Sequence, residues 1–204
     1  MTQPHETYMR MALTAAAKVL EQGEFPVGCV LVHDHRVLVD AGRSGTRRQV
    51  PSELAHAEMI ALGRLEQLAP DLPRQDMTLY CTLEPCLMCF GAILLSGVGR
   101  LVYAYEDAMG GAASCDRANL RPLYADHGIQ IVGGVCREES LALFQAFFRD
   151  PGLDYWRGSL LAQYTLSQKS AVADGKPTPL PDGRPGRPGS GQKGSRTGPP
   201  DPEP

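Results

Sequence analysis

Helix-like and strand-like segments alternate along the chain up to Phe148, and this alternation constrains the fold more than any other feature of the sequence. Apolar residues at helical spacing predict helices, and short runs rich in β-branched residues predict strands. A chain that alternates in this way builds a central sheet with helices on both faces. We therefore predict an α/β fold, a three-layer α-β-α sandwich with a mixed five-stranded sheet. The predicted helices span residues 6–21, 55–68, 86–95 and 138–148, and the predicted strands span residues 27–32, 37–39, 77–82, 101–105 and 129–132.

Two segments beyond this core pattern carry separate expectations. Residues 107–120 are small and Gly-rich, so they predict an irregular loop. Residues 153–166 place Tyr155, Trp156 and Tyr164 among leucines and predict a terminal helix, which packs on the sheet or against another subunit.

Composition divides the chain into two parts. Residues 168–204 are rich in Pro and Gly, contain one leucine and have no aromatic residue. Such a segment buries too little surface to offset the entropy of ordering it. We therefore expect one compact domain at residues 1–167 and a disordered tail at residues 168–204.

Charge and hydropathy exclude several functional classes. The net charge is −3, with acidic residues in excess up to Ser167 and basic residues in excess beyond it. The domain therefore has no strongly basic nucleic-acid footprint. No apolar run has the roughly 18 residues of a membrane helix, and the first residues do not resemble a signal peptide. We expect a soluble, cytoplasmic protein with no membrane partner.

The sequences His56-Ala57-Glu58 and Pro85-Cys86-Leu87-Met88-Cys89 carry the chemistry. Two cysteines three residues apart at a helix start can direct both sulfurs to one point, and the helix N-terminus favours thiolates. With His56 they make three ligands for tetrahedral zinc, which leaves a fourth position for water, as in catalytic sites. Glu58 is poorly placed as a ligand, but its side chain can reach the edge of the site and transfer protons.

Other interpretations of these residues stay open. Cys81, Cys115 or Cys136 can supply a fourth ligand and close the zinc site, which would make the protein a non-catalytic scaffold. Alternatively, Arg43, Arg47, Arg48 and the basic tail can dominate in an RNA-binding module. The identity of the fourth ligand distinguishes the scaffold from the enzyme.

The pattern His-x-Glu followed by Pro-Cys-x-x-Cys is the signature of zinc deaminases acting on nucleobases. The chain resembles the cytidine/deoxycytidylate deaminase superfamily, and most of all the bacterial tRNA-specific adenosine deaminases, from about Tyr8 to Arg149. The stretches that carry the resemblance are Pro26-Val27-Gly28, His56-Ala57-Glu58, residues 82–89, Gly91-Ala92-Ile93, residues 99–103, Glu106-Asp107-Ala108, residues 111–114 and Phe147-Phe148.

The resemblance implies roles for particular residues. One zinc ion per subunit would be bound by His56, Cys86 and Cys89, and Glu58 would carry the protons of a hydrolytic deamination. Val27 and Ala57 would line the base pocket, although Val27 is equally typical of strand core. Asp107 would lie at the mouth near the sugar, or would cap local backbone N–H groups. The family also implies a homodimer or larger assembly.

The substrate is the most open expectation. Whole-chain resemblance favours adenosine in a tRNA anticodon loop, converted to inosine at the wobble position. Three departures favour a free base or nucleoside of the guanine, cytosine or cytidine type. The loop before His56 lacks the Asn that commonly reads the base, Glu106 and Met109 replace basic character beside Asp107, and residues 150–156 replace a basic helix. Arg43, with Arg47 and Arg48, can restore phosphate contacts from the other side of the pocket.

Overall fold

The computed structural model describes residues 3–69 and 71–169. Among these residues, no helix is both long and apolar enough to cross a membrane. The helices are α1 (Gln3–Glu21), α2 (Ala57–Leu68), α3 (Leu87–Ser96), α4 (Pro122–Ala125), α5 (Arg137–Arg149) and α6 (Leu160–Ser167), and the strands are β1 (Gly28–His33), β2 (Arg36–Gly42), β3 (Thr78–Leu83), β4 (Arg100–Tyr105) and β5 (Gln130–Val132).

The five strands form one mixed sheet in the order β2-β1-β3-β4-β5. Strand β1 is antiparallel to both of its neighbours, whereas β3, β4 and β5 are parallel to one another. A tight turn joins β1 to β2, and its two central residues, Asp34 and His35, both have positive φ. Such turns match the twist of paired strands. The predicted mixed five-stranded sheet is confirmed.

Helices cover both faces of the sheet. On one face, Met9, Ala12 and Leu13 of α1 pack against side chains of β1, β3 and β4. Helix α5 lies beside α1 and contacts β4. On the other face, α2 and α3 bury Ala61 and Ile93 in the larger core. Because apolar residues point to both faces of β1 and β3, these central strands are buried almost throughout.

Gly28 fixes how closely α1 approaches the sheet. A Cβ atom at this position would collide with the carbonyl oxygen of Ala12. The Gly28 N–H donates a hydrogen bond to the hydroxyl oxygen of Thr82 on β3, 3.0 Å away. Only glycine allows the helix to lie this close.

Three details of the predicted secondary structure are wrong. The terminal helix covers residues 160–167 rather than 153–166, because Pro151 and Gly152 stop the preceding helix and Ser159 caps the new one by accepting from Ala162 N–H. Helix α3 begins at Leu87 rather than at residue 86, since Cys86 is the extended residue that caps it. The short helix α4 and a 3-10 turn at Arg74–Asp76 were not predicted.

The predicted tail lies outside the described residues except for its first two positions. Gln168 is buried, and its backbone carbonyl accepts a hydrogen bond from the Gln145 amide at 2.9 Å. The ordered part of the chain therefore continues at least one residue past the expected boundary at Ser167.

Candidate active site

Helix α2 begins at the site, and His56 is the residue that precedes its first turn. His56 has an extended backbone, with φ −70° and ψ 149°, and its side chain does not cap the helix. The imidazole is therefore free to turn toward α3, where its Nδ1 lies 3.4 Å from Cys89 Sγ and 3.7 Å from Cys86 Sγ. Nδ1 is the ring nitrogen that faces both sulfurs.

Helix α3 supplies both sulfurs from its first turn. Cys86 follows β3 and caps the helix, and Cys89 is the third residue inside it and is fully buried. The ligand atoms of His56, Cys86 and Cys89 all lie within 4.8 Å of one another. Two helix starts thus converge on one point, where their positive ends favour anionic ligands.

The thiols of Cys86 and Cys89 differ in pKa. Hydrogen bonds from Cys89 and then from His56 lower the pKa of Cys86 to about 4, although burial opposes the shift. The pKa of Cys89 is raised, because its hydrogen bond to Cys86 and its burial both favour the protonated thiol. Cys86 is therefore the more acidic of the two thiols, and a bound metal would displace the protons that remain.

The donor set fits zinc. One imidazole nitrogen and two sulfurs are ligands that Zn²⁺ prefers, and their spacing is compact enough to share one ion. Among the described residues, none of the three cysteines considered as a fourth ligand joins this group. Cys81 pairs with Cys29 at a sulfur–sulfur distance of 3.3 Å, Cys115 is exposed, and Cys136 precedes α5. The residues therefore fit an open site and give no support to a closed structural one.

Glu58 is buried beside these ligands. Its side chain is 3% exposed, and its Oε2 atom has no hydrogen-bond partner among the described residues. Burial raises the pKa of Glu58, and the neighbouring Cys86 adds to the shift while His56 opposes it. A raised pKa suits a carboxyl group to take up and release a proton during a reaction. We call His56, Glu58, Cys86 and Cys89 the metal corner.

A cleft opens in front of the metal corner and brings together most of the residues that the sequence indicated. Its interior volume is small, about 20 Å³. Val27 and Ala57 line it, as expected for a base pocket, and both are buried. The full lining is Phe25, Val27, Arg43, His56, Ala57, Glu58, Leu83, Glu84, Cys86, Asp107 and Trp156.

Asp107 lines the cleft and caps local backbone N–H groups, which was one of the two expectations for it. Its Oδ1 accepts hydrogen bonds from the N–H groups of Met109 and Gly110, each at 2.9 Å. Glu84 holds the same loop from below, because its carboxylate accepts from the N–H groups of Asp107 and Ala113. The loop predicted at residues 107–120 is therefore held by backbone hydrogen bonds to the buried carboxylates of Glu84 and Asp107.

Comparison with protein families decides the identity of the site. The family model of the cytidine and deoxycytidylate deaminase zinc-binding region matches residues 2–105, a span that includes the whole metal corner. The chain belongs to this deaminase family.

Individual relatives agree with this assignment. The deaminase is 36% identical over 150 residues to a tRNA-specific adenosine deaminase of Bacillus subtilis, which covers 74% of this chain and 91% of the relative. It is 38% identical over 151 residues to a tRNA-specific adenosine deaminase of Agrobacterium fabrum, covering 72% and 95%. A solved structure from work on A-to-I editing by tRNA:A34 deaminases at the wobble position superposes with a TM-score of 0.58 at 32% identity, covering 67% of this chain and 98% of the other.

The deaminase cleft has a roof that the sequence did not indicate. Tyr155 and Trp156 lie in the turn before α6, with their rings stacked 5.1 Å apart at 15°. The hydroxyl of Tyr155 donates to Glu53 at 2.8 Å and accepts from Arg43 at 2.6 Å. We call Arg43, Glu53, Tyr155 and Trp156 the roof. The one feature of the sequence that could have indicated the roof is Pro151-Gly152, which ends the preceding helix and leaves Tyr155 and Trp156 outside it.

The three arginines of the loop before His56 point in different directions. Arg43 is buried inside the roof of the deaminase, whereas Arg47 and Arg48 are exposed and line a separate surface pocket with residues 152–155. Arg43 therefore lines the cleft and does not share the solvent-exposed position of Arg47 and Arg48.

Glu106, one of the departures from the family pattern, is engaged within the protein. The Arg137 guanidinium donates to its carboxylate at 2.8 Å, and the Tyr164 hydroxyl donates at 2.7 Å. Burial alone would raise the pKa of Glu106, but these hydrogen bonds outweigh it and lower the pKa. The negative charge beside Asp107 is therefore largely neutralised by Arg137.

Proposed function

We propose that this deaminase hydrolyses adenosine to inosine at the wobble position of a tRNA anticodon loop. The observation that carries the proposal is the convergence of His56, Cys86 and Cys89 on one point, beside the buried Glu58 carboxyl group, whose Oε2 atom has no hydrogen-bond partner among the described residues. The names of the relatives and of the solved structure support the choice of adenosine in tRNA. A single-stranded loop also allows its bases to turn out into a pocket.

The residues of the metal corner divide the chemistry. His56, Cys86 and Cys89 would hold one zinc ion per subunit. When bound in such a site, zinc lowers the pKa of water toward about 7. Glu58 takes a proton from the attacking water and delivers protons to ring N1 and to the departing amine. Adenosine and water thus become inosine and ammonia.

The remaining lining residues would orient the base. Val27 and Ala57 offer apolar contact, and the Ala57 N–H in the first turn of α2 needs no partner within its helix. That N–H is available to the base edge. Asp107 lies across the cleft, where the sugar of the target nucleotide would enter.

A free base or nucleoside is the second candidate substrate. Two observations favour it: Arg43 is turned inward, away from any phosphate, and acidic residues are in excess up to Ser167. Both reduce the positive surface that an RNA backbone would contact. Arg47 and Arg48 remain exposed beside the cleft loop and are the residues that we propose to meet tRNA phosphates.

One assay separates these candidates. The zinc-loaded protein is given a tRNA anticodon stem-loop and, separately, a panel of free bases and nucleosides, and ammonia and inosine are measured. Inosine in the stem-loop, reduced severalfold by Arg47→Gln with Arg48→Gln, supports the proposal. Turnover of a free base with none on RNA contradicts it. Salt-dependent RNA binding without any product would instead identify an RNA-binding module, and a sulfur as fourth zinc ligand would identify a scaffold.

We also propose a homodimer and a cytoplasmic location. The location follows from the substrate, since tRNA is processed there. Support for the dimer comes from large apolar side chains exposed near the start and end of α3 and on α4, namely Leu87, Leu95 and Leu123. Exposed apolar patches of this kind mark protein interfaces. Sedimentation equilibrium tests the dimer, and Leu87→Glu with Leu95→Glu should convert it to a monomer.

A further inference from the structure

Arg43 is a buried cation in the wall of the cleft. It follows the last residue of β2, and its side chain is 2% exposed. Its guanidinium carbon lies 5.1 Å from the centre of the Tyr155 ring and 5.7 Å from that of Phe25. Its Nη2 atom donates to the Tyr155 hydroxyl at 2.6 Å and to the Ser52 carbonyl at 3.3 Å. Aromatic rings and two neutral acceptors therefore hold the guanidinium in place.

The hydrogen-bonding capacity of Arg43 is not used up by these contacts. Its Nε atom is buried and has no partner among the described residues. The nearby Glu53 carboxylate, 3.7 Å from Nη2, belongs to a side chain that is 58% exposed, so water screens that ion pair. A buried N–H without an acceptor is unfavourable, and most such groups in proteins find one. This donor is therefore available to a ligand.

The residues that line the cleft with Arg43 limit which ligands can contact it. His56, Ala57 and Glu58 line the same cleft, so a base that enters it to reach the metal corner also lies beside Arg43. An arginine side chain donates hydrogen bonds and never accepts them. We propose that Arg43 is a specificity-determining residue whose guanidinium donates a hydrogen bond, through Nε, to an acceptor atom on the base edge that faces away from Glu58.

For adenine, this assignment rests on the proposed function and narrows the acceptor to two atoms. Ring N1 and the exocyclic amine face Glu58, which leaves N3 and N7 as the acceptors on the other edges. A base with an amino group or a C–H at the position that Arg43 reads would leave the donor unpaired. Such a base would be a poor substrate.

The first experiment uses the full-length wild-type protein, loaded with zinc. Stem-loops carry adenosine, 7-deazaadenosine or 3-deazaadenosine at the target position, each replacing one ring nitrogen by C–H. We expect one of the two analogues to lower kcat/KM roughly 10- to 100-fold, as loss of a hydrogen bond to a charged donor does. If both analogues react as fast as adenosine, the proposal is overturned.

Variants of Arg43 then assign the lost hydrogen bond. In Arg43→Gln, the preference for adenosine over the sensitive analogue should fall to about threefold or less. Arg43→Lys, which keeps the charge but not the planar donor geometry, should give an intermediate value. Arg64→Gln, an exposed arginine on α2, is the matched control and should keep the full preference. A preference that persists unchanged in both Arg43 variants contradicts the assignment.

A measurement without turnover covers the possibility that Arg43 variants do not fold. In wild-type protein with ¹⁵Nε-labelled arginine, the Arg43 Nε–H resonance should shift when the inosine product stem-loop is added. The product of the sensitive deaza analogue should leave it in place. If adenosine proves not to be the substrate, the same pair of experiments is run with the base that is turned over and its deaza analogue. Failure of the tRNA proposal and failure of the Arg43 proposal are thus separate results.

Discussion

The metal corner and the roof both contribute residues to one cleft, but they are built in different ways. Two helix starts place the residues of the metal corner, since His56 and Glu58 lie at the start of α2 and Cys86 and Cys89 at the start of α3. The roof joins Arg43 to Tyr155 across 112 positions of the chain, and its aromatic residues lie in a turn. Chemistry is therefore encoded locally, whereas selection of the base depends on contacts that only the complete fold provides.

Glu58→Gln should have the largest effect, because it removes the proton carrier while keeping the shape of the metal corner. We expect kcat to fall by at least about 10²- to 10⁴-fold, with zinc content measured by atomic absorption unchanged. The matched control is Glu66→Gln, on an exposed position of the same helix. A Glu58→Gln enzyme with wild-type rate would falsify the role given to this residue.

Removal of the metal should affect activity and stability together. Zinc that binds only the folded protein stabilises it by roughly 2.7 kcal/mol at a free concentration 100 times Kd. For a domain of this size, that corresponds to a fall in melting temperature of about 5 °C or more after chelation. Calorimetry before and after dialysis against a chelator measures it. Zinc should restore both properties in wild type and neither in Cys89→Ser, and an apo protein as stable and active as the holo form would contradict the assignment.

Trp156→Ala tests the roof alone. A base stacked on an aromatic ring gains about 1–3 kcal/mol, so KM should rise about tenfold while kcat changes little. The contrast with Glu58→Gln, where kcat falls, would separate binding by the roof from chemistry at the metal corner. Trp156 is the only tryptophan in the sequence, so its fluorescence in the wild-type protein also reports ligand entry. A fall in kcat with KM unchanged would show that the roof serves the chemical step.

Glu106→Gln should destabilise the fold by about 1–2 kcal/mol at pH 7, since it removes the partner of Arg137. The folded-state pKa of Glu106 is lowered from 4.5, so its contribution is fully present above pH 4.5 and is lost as the pH falls through the lower, folded-state pKa. Urea unfolding of wild type and variant at several pH values should show two curves that converge in acid. A difference that is equally large in acid would mean that charge is not the cause.

Truncation after Lys169 should have the smallest effect. Residues 170–204 carry few apolar side chains to bury, so the melting temperature and the turnover of a small substrate should both stay within error. Truncation before Gln168 is the informative comparison, because Gln168 is bonded to Gln145 and Arg137. Should the shorter deletion already lower the melting temperature, the tail contributes to the domain.

The sequence alone predicted the mixed five-stranded sheet and the residues of the metal corner, but it did not predict the roof. Periodicity and the spacing of Cys86 and Cys89 depend on local geometry, which short stretches encode. The inward position of Arg43 depends on its hydrogen bond to Tyr155. Tyr155 lies in a turn where Pro151 and Gly152 follow the end of a helix and where Trp156 has a left-handed backbone, with φ 55°. No local pattern reveals that two such distant segments meet, and an arginine in a loop is most often exposed.

Cys29 and Cys81 lie directly opposite each other on β1 and β3, with their sulfurs close to the Glu58 carboxylate. Burial raises the pKa of both thiols, so they stay uncharged. Thiols are weak hydrogen-bond partners and water does not reach them. Two buried, uncharged thiols thus lie beside the Glu58 carboxyl group, which also lines the cleft, so the cleft is its route to solvent. Strands β1 and β3 therefore leave the cleft as the side from which Glu58 exchanges protons.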